Sequence, residues 1–285
     1  MSTNSDDNFR KKVTIHTLQK LKKDDKKAVY ITAYDYPFAK LADRAGVDII
    51  LVGDSLGMTT LGYKTTLPVT MSDMISHTAA VTRAVKNAFV IGDMPYMSYQ
   101  TSDRDAVINA GKLMSMGGCE AVKCEGGKRV FSRIKAIVDA GIPVQGHIGL
   151  TPQNMSQQGG YKVQGKTENE YKLLLEDALA LQKAGAFSIL LEAMPPTTAQ
   201  RIKNKLKIPA YGIGAGDKVD GQLVIIHDIL GLFEEFTPKF IKRYCEAGQL
   251  IEESIKNYAQ DVRSMKFPSK EHFYEMSKRK TKPIK

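Results

Sequence analysis

The stretch Asp48-Ile-Ile-Leu-Val-Gly-Asp-Ser-Leu-Gly-Met58 is an almost unbroken apolar run that ends in a carboxylate, a hydroxyl group and glycines. Residues 49–52 are apolar at every position, which is typical of a parallel strand covered on both faces rather than of a surface strand with alternating polarity. The run therefore predicts a buried strand that carries Asp54 at its C-terminal end. A charge at that place lies in a partly desolvated crevice.

Three later stretches repeat this arrangement of an apolar segment that ends in an acid. They are Phe89-Val-Ile-Gly-Asp93, Ala121-Val-Lys-Cys-Glu125 and Ser188-Ile-Leu-Leu-Glu192. Segments with helical spacing of apolar residues separate them, and small Gly-containing turns precede several of the strands. The full set of predicted strands covers residues 29–35, 49–52, 89–93, 121–125, 143–149, 188–192, 209–213 and 223–230.

Helices are predicted between these strands from apolar spacing and capping residues. Ser72 is the expected N-cap of a helix over 72–85, and Ser102 that of a helix ending near residue 116. A further helix is expected over 238–259.

Eight alternating strand and helix units predict an α/β protein with the (β/α)8 fold, a TIM barrel, because right-handed crossovers leave few other ways to bury eight parallel strands. A doubly wound open sheet is the alternative. We expect a single domain, with a basic N-terminal segment and capping helix over 1–27, the catalytic barrel over 28–262 and a basic C-terminal tail over 263–285. The long connection 150–166 is expected to form a lid at the barrel mouth.

The formal net charge of +10 suggests a nucleic-acid or membrane partner until the charges are located along the chain. Residues 1–27 carry 8 Lys and Arg against 4 Asp and Glu, and residues 266–285 carry 7 against 2. The 238 residues between them hold 26 basic and 25 acidic side chains. A nucleic-acid binder usually spreads its basic residues over a folded face, so we expect neither nucleic acid nor membrane as a partner.

Cysteine content and hydropathy indicate the compartment. Cys119, Cys124 and Cys245 are an odd number without metal-like spacing, which favours a reducing compartment without a disulfide framework. The N-terminal residues lack the apolar segment of a secretory signal, and no stretch approaches the roughly 18 apolar residues needed to span a bilayer. We therefore expect a cytoplasmic protein.

Asp54, Asp93 and Glu125 end predicted strands two, three and four, which are neighbours in a barrel. Three ionised acids in a dry cleft repel one another unless a positive charge is present. A hard divalent cation with oxygen ligands, magnesium before zinc, would resolve this repulsion. The alternative is that each acid caps the following helix or pairs with a lysine.

Lys123 precedes Glu125 by two residues, so both side chains project to the same side of an extended strand. Because a lysine is costly to bury unless it faces an anion, Lys123 should point at the metal site or at a substrate carboxylate or enolate. The alternative is a lysine that snorkels at the barrel edge. Ser55, with its own N–H, could bind a carboxylate, or it could cap a helix or turn.

Glu192 on strand six lies across the mouth from strands two to four. It is the candidate general base for removing a proton from a metal-polarised substrate, with a structural salt bridge as the alternative. His147 could assist proton transfer or be a satisfied strand-end histidine. The run Gly212-Ile-Gly-Ala-Gly216 lacks the spacing of a dinucleotide fingerprint and predicts a tight turn, which could also cradle an anion.

Taken together, these stretches resemble the ketopantoate hydroxymethyltransferase family, also called the 3-methyl-2-oxobutanoate hydroxymethyltransferases. The shared segments are long and uncommon, and they span about residues 28–245, nearly the whole barrel. They are Ile31-Thr-Ala-Tyr-Asp-Tyr36, Leu51-Val-Gly-Asp-Ser-Leu-Gly-Met58, Thr66-Leu-Pro-Val-Thr70, Val122-Lys-Cys-Glu-Gly-Gly127, Gly146-His-Ile-Gly-Leu-Thr-Pro-Gln153, Gly159-Gly-Tyr-Lys-Val-Gln-Gly165, Gly212-Ile-Gly-Ala-Gly216 and Asp220-Gly-Gln222.

The resemblance implies a (β/α)8 barrel that uses magnesium (Mg2+). It further implies transfer of a hydroxymethyl group from methylene-tetrahydrofolate to 3-methyl-2-oxobutanoate (α-ketoisovalerate), which gives 2-dehydropantoate (ketopantoate) in the first step of pantothenate biosynthesis. The implied reaction passes through a magnesium-stabilised enolate. The resemblance also implies a homo-oligomer, namely a decamer.

A role for each matching residue is implied as well. Asp54 and Asp93 would ligate magnesium, and Glu125 would hold it directly or through water. Glu192 would be the catalytic proton acceptor. The residues implied to bind the keto acid are Asp54, Ser55, Asp93 and Lys123.

Two positions depart mildly from the family pattern. Cys124 and Lys166 stand where the resemblance leads us to expect an aliphatic residue and an arginine, and neither carries an implied role. Two other functions remain open at this point. A magnesium-dependent lyase or aldolase for α-keto or α-hydroxy acids would use the same enolate chemistry without a tetrahydrofolate donor. A non-catalytic nucleic-acid-binding protein rests only on the basic ends.

Overall fold

A closed barrel of eight parallel strands forms the centre of the protein in a computed structural model, which describes residues 10–276. Each strand pairs with the next one along the chain, and the first closes the barrel by pairing with the eighth, Tyr30 opposite Leu223. This closure confirms the predicted (β/α)8 fold and excludes the open sheet. The strands are β1 (Ala28–Thr32), β2 (Ile49–Val52), β3 (Phe89–Asp93), β4 (Ala121–Glu125), β5 (Val144–Gly149), β6 (Ser188–Glu192), β7 (Ala210–Ile213) and β8 (Gly221–Val224).

Helices surround this barrel and close one of its ends. They are α1 (Ile15–Lys23), α2 (Tyr36–Arg44), α3 (Leu56–Thr59), α4 (Met71–Ala84), α5 (Asp103–Lys112), α6 (Phe131–Asp139), α7 (Met155–Gln158), α8 (Glu168–Lys183), α9 (Pro196–Lys203), α10 (Ile226–Ile229) and α11 (Ala247–Arg263). A π-helical turn, Leu113–Gly117, extends α5, and 3-10 turns occupy Lys128–Val130, Pro152–Asn154 and Lys270–His272. Over residues 10–276, no helix is both long enough and apolar enough to cross a bilayer.

The N-terminal end of the barrel is covered by α1. Val13 and Leu18 join the interior cluster formed by the inward side chains of the strands, such as Tyr30. Lys22 Nζ then fixes the helix by an ion pair of 2.8 Å to Asp220, which precedes β8. The predicted capping helix is therefore confirmed, and the barrel interior beneath the mouth is a packed core.

Two helix starts test the capping predictions. Helix α4 is capped by Thr70 rather than Ser72, because Thr70 Oγ1 accepts the Asp73 N–H (3.2 Å) while the Asp73 carboxylate accepts the Thr70 N–H (2.9 Å). Ser72 has no acid three residues later to complete such a capping box, so the prediction was wrong. Ser102 does cap α5, where its Oγ accepts the Asp105 N–H at 3.0 Å.

The eighth strand is shorter than predicted. Sequence predicts a strand over 223–230, but β8 spans Gly221–Val224 and helix α10 starts two residues later. The chain turns there because the Ile226 N–H donates to Thr32 Oγ1 (3.2 Å) on β1. A short apolar run suits a strand and a buried helix equally, so its periodicity could not separate them.

The last helix also begins later than predicted. Its expected range was 238–259, whereas α11 spans Ala247–Arg263. The segment before it donates backbone N–H groups to the end of α10 instead of forming its own helical turns, as in the bond from Tyr244 to the Ile229 carbonyl at 2.8 Å. Helix α11 buries none of its side chains.

Candidate active site

The C-terminal ends of the strands bring all the sequence-predicted site residues to one cavity. Asp93, Glu125 and Glu192 are the last residues of β3, β4 and β6, while Asp54 follows β2 by two residues. Parallel strands present these ends at a single mouth, as predicted. The cavity has a volume of about 70 Å³, and its polar lining includes Asp54, Ser55, Asp93, Lys123, Glu125, His147 and Glu192.

Asp54 and Asp93 are buried side by side. The Asp54 N–H donates to Asp93 Oδ2 at 3.0 Å. Burial, reinforced by the charges of Asp93 and Glu125, raises the pKa of Asp54 well above its usual value. Burial also raises the pKa of Asp93, although the charge of Lys123 opposes this effect. This corner of the cavity therefore concentrates negative charge that a cation would stabilise.

Lys123 is the buried cation at the centre of the site. Its Nζ lies 2.9 Å from Asp93 Oδ1, 3.4 Å from Glu125 Oε1 and 3.3 Å from His147 Nδ1. Burial lowers its pKa, but the carboxylates of Asp93, Glu125 and Asp54 outweigh burial and hold the pKa of Lys123 well above its usual value. The snorkelling alternative is therefore wrong, because the Lys123 side chain is only 4% exposed and its ammonium group faces Asp93 inside the cavity.

Glu125 differs from Asp54 because donors surround it. Its Oε2 accepts the backbone N–H of Gln153 at 3.1 Å, and its Oε1 faces Lys123 and His147. Burial raises the pKa of Glu125, but the charge of Lys123 and the hydrogen bond from His147 prevail and lower it to about 2. Glu125 is therefore ionised at neutral pH.

His147 on β5 connects two of the acids. Its Nδ1 lies 3.3 Å from Glu125 Oε1, and its Nε2 lies 3.0 Å from Glu192 Oε2, an ion-pair distance without hydrogen-bond alignment. Burial and Lys123 lower the pKa of His147, yet the two glutamates raise it further, to about 9. The raised pKa favours an imidazolium at neutral pH, and whether His147 assists proton transfer stays a prediction.

The backbone around Glu192 is tightly constrained. Leu150 N–H donates to the Glu192 carbonyl at 3.0 Å, and a Cβ on the preceding Gly149, whose φ is +97°, would lie 2.2 Å from that carbonyl oxygen. Ala193, the next residue, has a φ of 47°, a strained value for a residue with a side chain. The Glu192 side chain itself is 16% exposed and lines the cavity, so it pairs with His147 and still faces solvent.

Sequence comparison decides the family. The sequence model described as ketopantoate hydroxymethyltransferase matches residues 12–270 of this chain. The chain belongs to the ketopantoate hydroxymethyltransferase family. A Geobacter sulfurreducens relative named 3-methyl-2-oxobutanoate hydroxymethyltransferase is 53% identical over 261 residues, which cover 92% of this chain and 98% of the relative. A Clostridium novyi relative of the same name is 52% identical, with 93% and 96% covered. The predicted family and the predicted enzyme class, a hydroxymethyltransferase, are confirmed.

Solved structures of other enzymes share the fold of this family member. A phosphoenolpyruvate phosphomutase from Streptomyces platensis subsp. rosaceus superposes with a TM-score of 0.62 at 18% identity, covering 92% of both chains. Phosphonopyruvate hydrolase, in a complex with oxalate and Mg++, gives a TM-score of 0.61 at 14% identity, with 91% of this chain and 93% of that chain covered. At such low identity, these similarities show the barrel alone.

Gln153 is a site residue of this ketopantoate hydroxymethyltransferase family member that the sequence reasoning missed. Its side-chain Nε2 donates to Asp54 Oδ2 and to the Met94 carbonyl, both at 2.9 Å, while its Oε1 accepts from Tyr99 Oη at 3.2 Å. The amide thus links the connection 150–166 to the acids. Gln153 closes one of the shared family segments, but a neutral amide in a polar loop carried no chemical signal.

Ser55 occupies the N-cap position of α3, but its side chain makes no capping hydrogen bond. Instead, Ser55 Oγ lies 2.7 Å from Tyr34 Oη. The buried Tyr34 therefore orients the serine hydroxyl beside the cavity, and the capping alternative is wrong for this side chain. The tyrosine partner was not predicted, since the two residues are far apart in sequence and meet only through the pairing of β1 with β2.

The residues at the mouth suit a magnesium ion, although they do not form a complete cage. Among residues 10–276, no group of three or more His, Cys, Asp or Glu side chains is arranged to hold a metal ion. Magnesium, however, usually takes one or two carboxylates and completes its shell with water and substrate oxygens. Asp54 and Asp93 offer such a pair, and the raised pKa of Asp54 marks uncompensated negative charge. Asp93 and Glu125 both face Lys123 as well, at 2.9 and 3.4 Å, so this lysine would share their carboxylates with the ion.

Proposed function

We propose that this enzyme transfers a hydroxymethyl group from methylene-tetrahydrofolate to 3-methyl-2-oxobutanoate and so forms 2-dehydropantoate, the first step of pantothenate biosynthesis. The observation that carries the proposal is the small cavity in which Lys123 and the acid pair Asp54 and Asp93 face Glu192. A cavity of about 70 Å³ is too small for a bulky substrate. The names of the relatives support the same keto acid.

Binding of the keto acid requires groups that accept its negative charge. Lys123 supplies a fixed ammonium group, and the Ser55 hydroxyl, oriented by Tyr34, supplies a hydrogen-bond donor. Asp54 and Asp93 would hold the magnesium ion, with Glu125 contacting it through water. When bound there, magnesium would act as a Lewis acid that makes the C3 proton of the keto acid easier to remove.

Glu192 is proposed to take that proton. Its carboxylate reaches the cavity, and the His147 imidazolium at 3.0 Å holds it in place, so His147 is a positioning residue. The resulting enolate carbon forms a bond to the methylene carbon of the donor. The bonds from that carbon to the two folate nitrogens break, and water supplies the hydroxyl group. The proton that Glu192 took from C3 and the second proton of the water go to those nitrogens, and tetrahydrofolate leaves. Lys123 remains protonated throughout and stabilises the enolate charge.

Deuterium exchange at C3 of 3-methyl-2-oxobutanoate, followed by NMR, tests this proposal. We expect exchange that requires magnesium and does not require folate, together with formation of 2-dehydropantoate only when methylene-tetrahydrofolate is present. Conversion of the keto acid to products without any folate would instead favour the lyase or aldolase alternative. Absence of exchange with magnesium present would contradict the role of this cavity.

We further propose a cytoplasmic homo-oligomer, a decamer by family resemblance. The apolar side chains on α11, including Leu250, Ile255 and Tyr258, are each more than half exposed, which supports association with other copies. Cys119 and Cys124 are buried and unpaired, as suits a reducing compartment. Light scattering coupled to size-exclusion chromatography gives the number of chains directly, and a monomer at micromolar concentration would contradict the oligomer.

A further inference from the structure

A second, larger cavity adjoins the small one. It has a volume of about 390 Å³. Because Glu192 contributes to the lining of both cavities, a molecule in the larger one meets the same carboxylate as the keto acid. The residues that line both are Ser55, Pro152, Glu192, Ile213 and Ile225.

Aromatic side chains form much of the wall of this larger cavity. Phe233 and Phe236 pack edge to face with their ring centroids 5.2 Å apart, and Tyr161 and Phe240 also face the space. Gly214, in the glycine run after β7, has a φ of +61°, and a Cβ there would lie 2.6 Å from the ring of Phe240. The lack of a side chain at Gly214 therefore leaves room for the Phe240 ring in the cavity wall. Such walls suit a flat, conjugated ring system.

One acid in the wall, Asp228, lacks hydrogen-bond donors in the described part of the chain. Asp228 on α10 is only 6% exposed, and no hydrogen bond or ion pair engages its carboxylate among residues 10–276. Burial raises the pKa of Asp228 to about 6, against the opposing charge of Arg243. A buried carboxylate without donors is costly, so a ligand that brings N–H groups to Asp228 would be stabilised there.

Two lysines also line the larger cavity. Lys162 comes from the connection 150–166 and Lys239 from the segment after α10, and both are exposed. Neither takes part in an ion pair within the described part of the chain. They therefore offer cations to a ligand whose other end carries carboxylates.

We propose that the larger cavity is the donor site, with the pterin ring of methylene-tetrahydrofolate between the aromatic side chains and its glutamate tail towards Lys162 and Lys239. The 2-amino group and the adjacent ring N–H of a pterin form a pair of donors that matches the two oxygens of the Asp228 carboxylate. This assignment rests on the proposed function, since it concerns the same reaction. It supplies hydrogen-bond donors to the Asp228 carboxylate. It also places methylene-tetrahydrofolate, the one-carbon donor, next to Glu192.

Replacement of Asp228 by asparagine, with tetrahydrofolate as the probe in titration calorimetry, tests the donor site. We expect Asp228→Asn to weaken binding of tetrahydrofolate by about 10- to 100-fold, because a charged hydrogen-bond acceptor is lost. A 2-desamino analogue of tetrahydrofolate should bind the wild-type protein more weakly by a similar factor. The variant should no longer distinguish the two ligands, since both changes remove the same contact.

A matched control is Asp217→Asn, which alters an exposed aspartate after the same glycine run, and it should leave the affinity for tetrahydrofolate unchanged. If Asp228→Asn does not fold, the exposed pair Lys162→Ala and Lys239→Ala still tests the site. That variant should lose any preference for triglutamyl over monoglutamyl tetrahydrofolate. A preference that persists would overturn the assignment of the tail.

The outcomes separate the two proposals. An Asp228→Asn protein that binds tetrahydrofolate as tightly as wild type, or that still discriminates against the desamino analogue, would overturn the donor site while folate-dependent turnover by the wild type stands. A wild-type protein that neither binds tetrahydrofolate nor uses methylene-tetrahydrofolate would overturn the proposed function itself.

Discussion

The two ends of the barrel use the same acidic residue types for opposite purposes. At the N-terminal end, the Asp43 carboxylate accepts N–H groups from Lys86 (2.9 Å), Asn87 (3.1 Å) and Ala88 (2.7 Å). At the C-terminal end, Asp54 has a single side-chain donor, Gln153, and other acids close by. Acids whose acceptor sites are filled by the backbone stabilise the fold, whereas acids left short of donors can bind a metal and substrate.

The largest difference between the two ends should appear with Glu192→Gln. An amide cannot accept the C3 proton, so we expect the magnesium-dependent exchange rate of 3-methyl-2-oxobutanoate to fall by about 100- to 10,000-fold. Keto-acid binding, measured by calorimetry, should persist. The control at the other end is Glu120→Gln, which removes an ion pair to Lys12 at 2.6 Å and should leave exchange unaffected. Exchange retained by Glu192→Gln would remove this residue from its proposed role.

Lys123→Met should have the next largest effect, on stability. It removes the buried cation between Asp93 and Glu125, so uncompensated carboxylates remain and the free energy of unfolding should drop by about 3–5 kcal/mol. Urea denaturation measures this loss. Lys12→Met, which breaks a partly exposed pair at the N-terminal end, should cost about 1 kcal/mol or less. Equal losses from the two variants would contradict the difference between the ends.

The dependence of stability on pH sharpens the comparison through His147. Its pKa of about 9 in the folded protein lies above the ordinary value of 6.5. The stabilising charge is therefore fully present below pH 6.5 and is lost as the pH rises through 9. The free energy of unfolding should fall by up to about 3 kcal/mol across that window. His147→Gln should flatten this dependence of the free energy of unfolding on pH, and His16→Gln should not. If the dependence is unchanged in both variants, His147 is not protonated in the folded protein at neutral pH.

Asp43→Asn should give the smallest effect, and only on stability. An asparagine cannot satisfy all of the backbone N–H groups that the carboxylate accepts, so we expect a loss of about 1–3 kcal/mol in the free energy of unfolding. The C3 exchange rate, measured where the variant is folded, should equal that of the wild type. A slower exchange would show that the two ends are coupled.

The strands that carry the acids were predictable because their pattern is local. The apolar runs of β2, β3, β4 and β6 have the bounds that the sequence predicts, and each leads directly to its acid. By contrast, Asp228 fell within the predicted strand 223–230, so neither its helix nor its position beside a cavity was foreseen. Gln153 was missed because an amide becomes a site residue only through the groups that it contacts.

By itself, the sequence determined the eight parallel strands, the end of the barrel at which the acids gather and the enzyme family. Apolar runs and shared family segments are both local features that can be read from the order of residues. Only the tertiary structure decided the state of each acid. Asp54 and Glu125 are both buried carboxylates, yet the pKa of one is raised and that of the other is lowered to about 2. Spacing along β4 already places Lys123 beside Glu125. The other two groups, His147 and the Gln153 N–H, reach Glu125 only because β5 pairs with β4, which spacing along the sequence does not show.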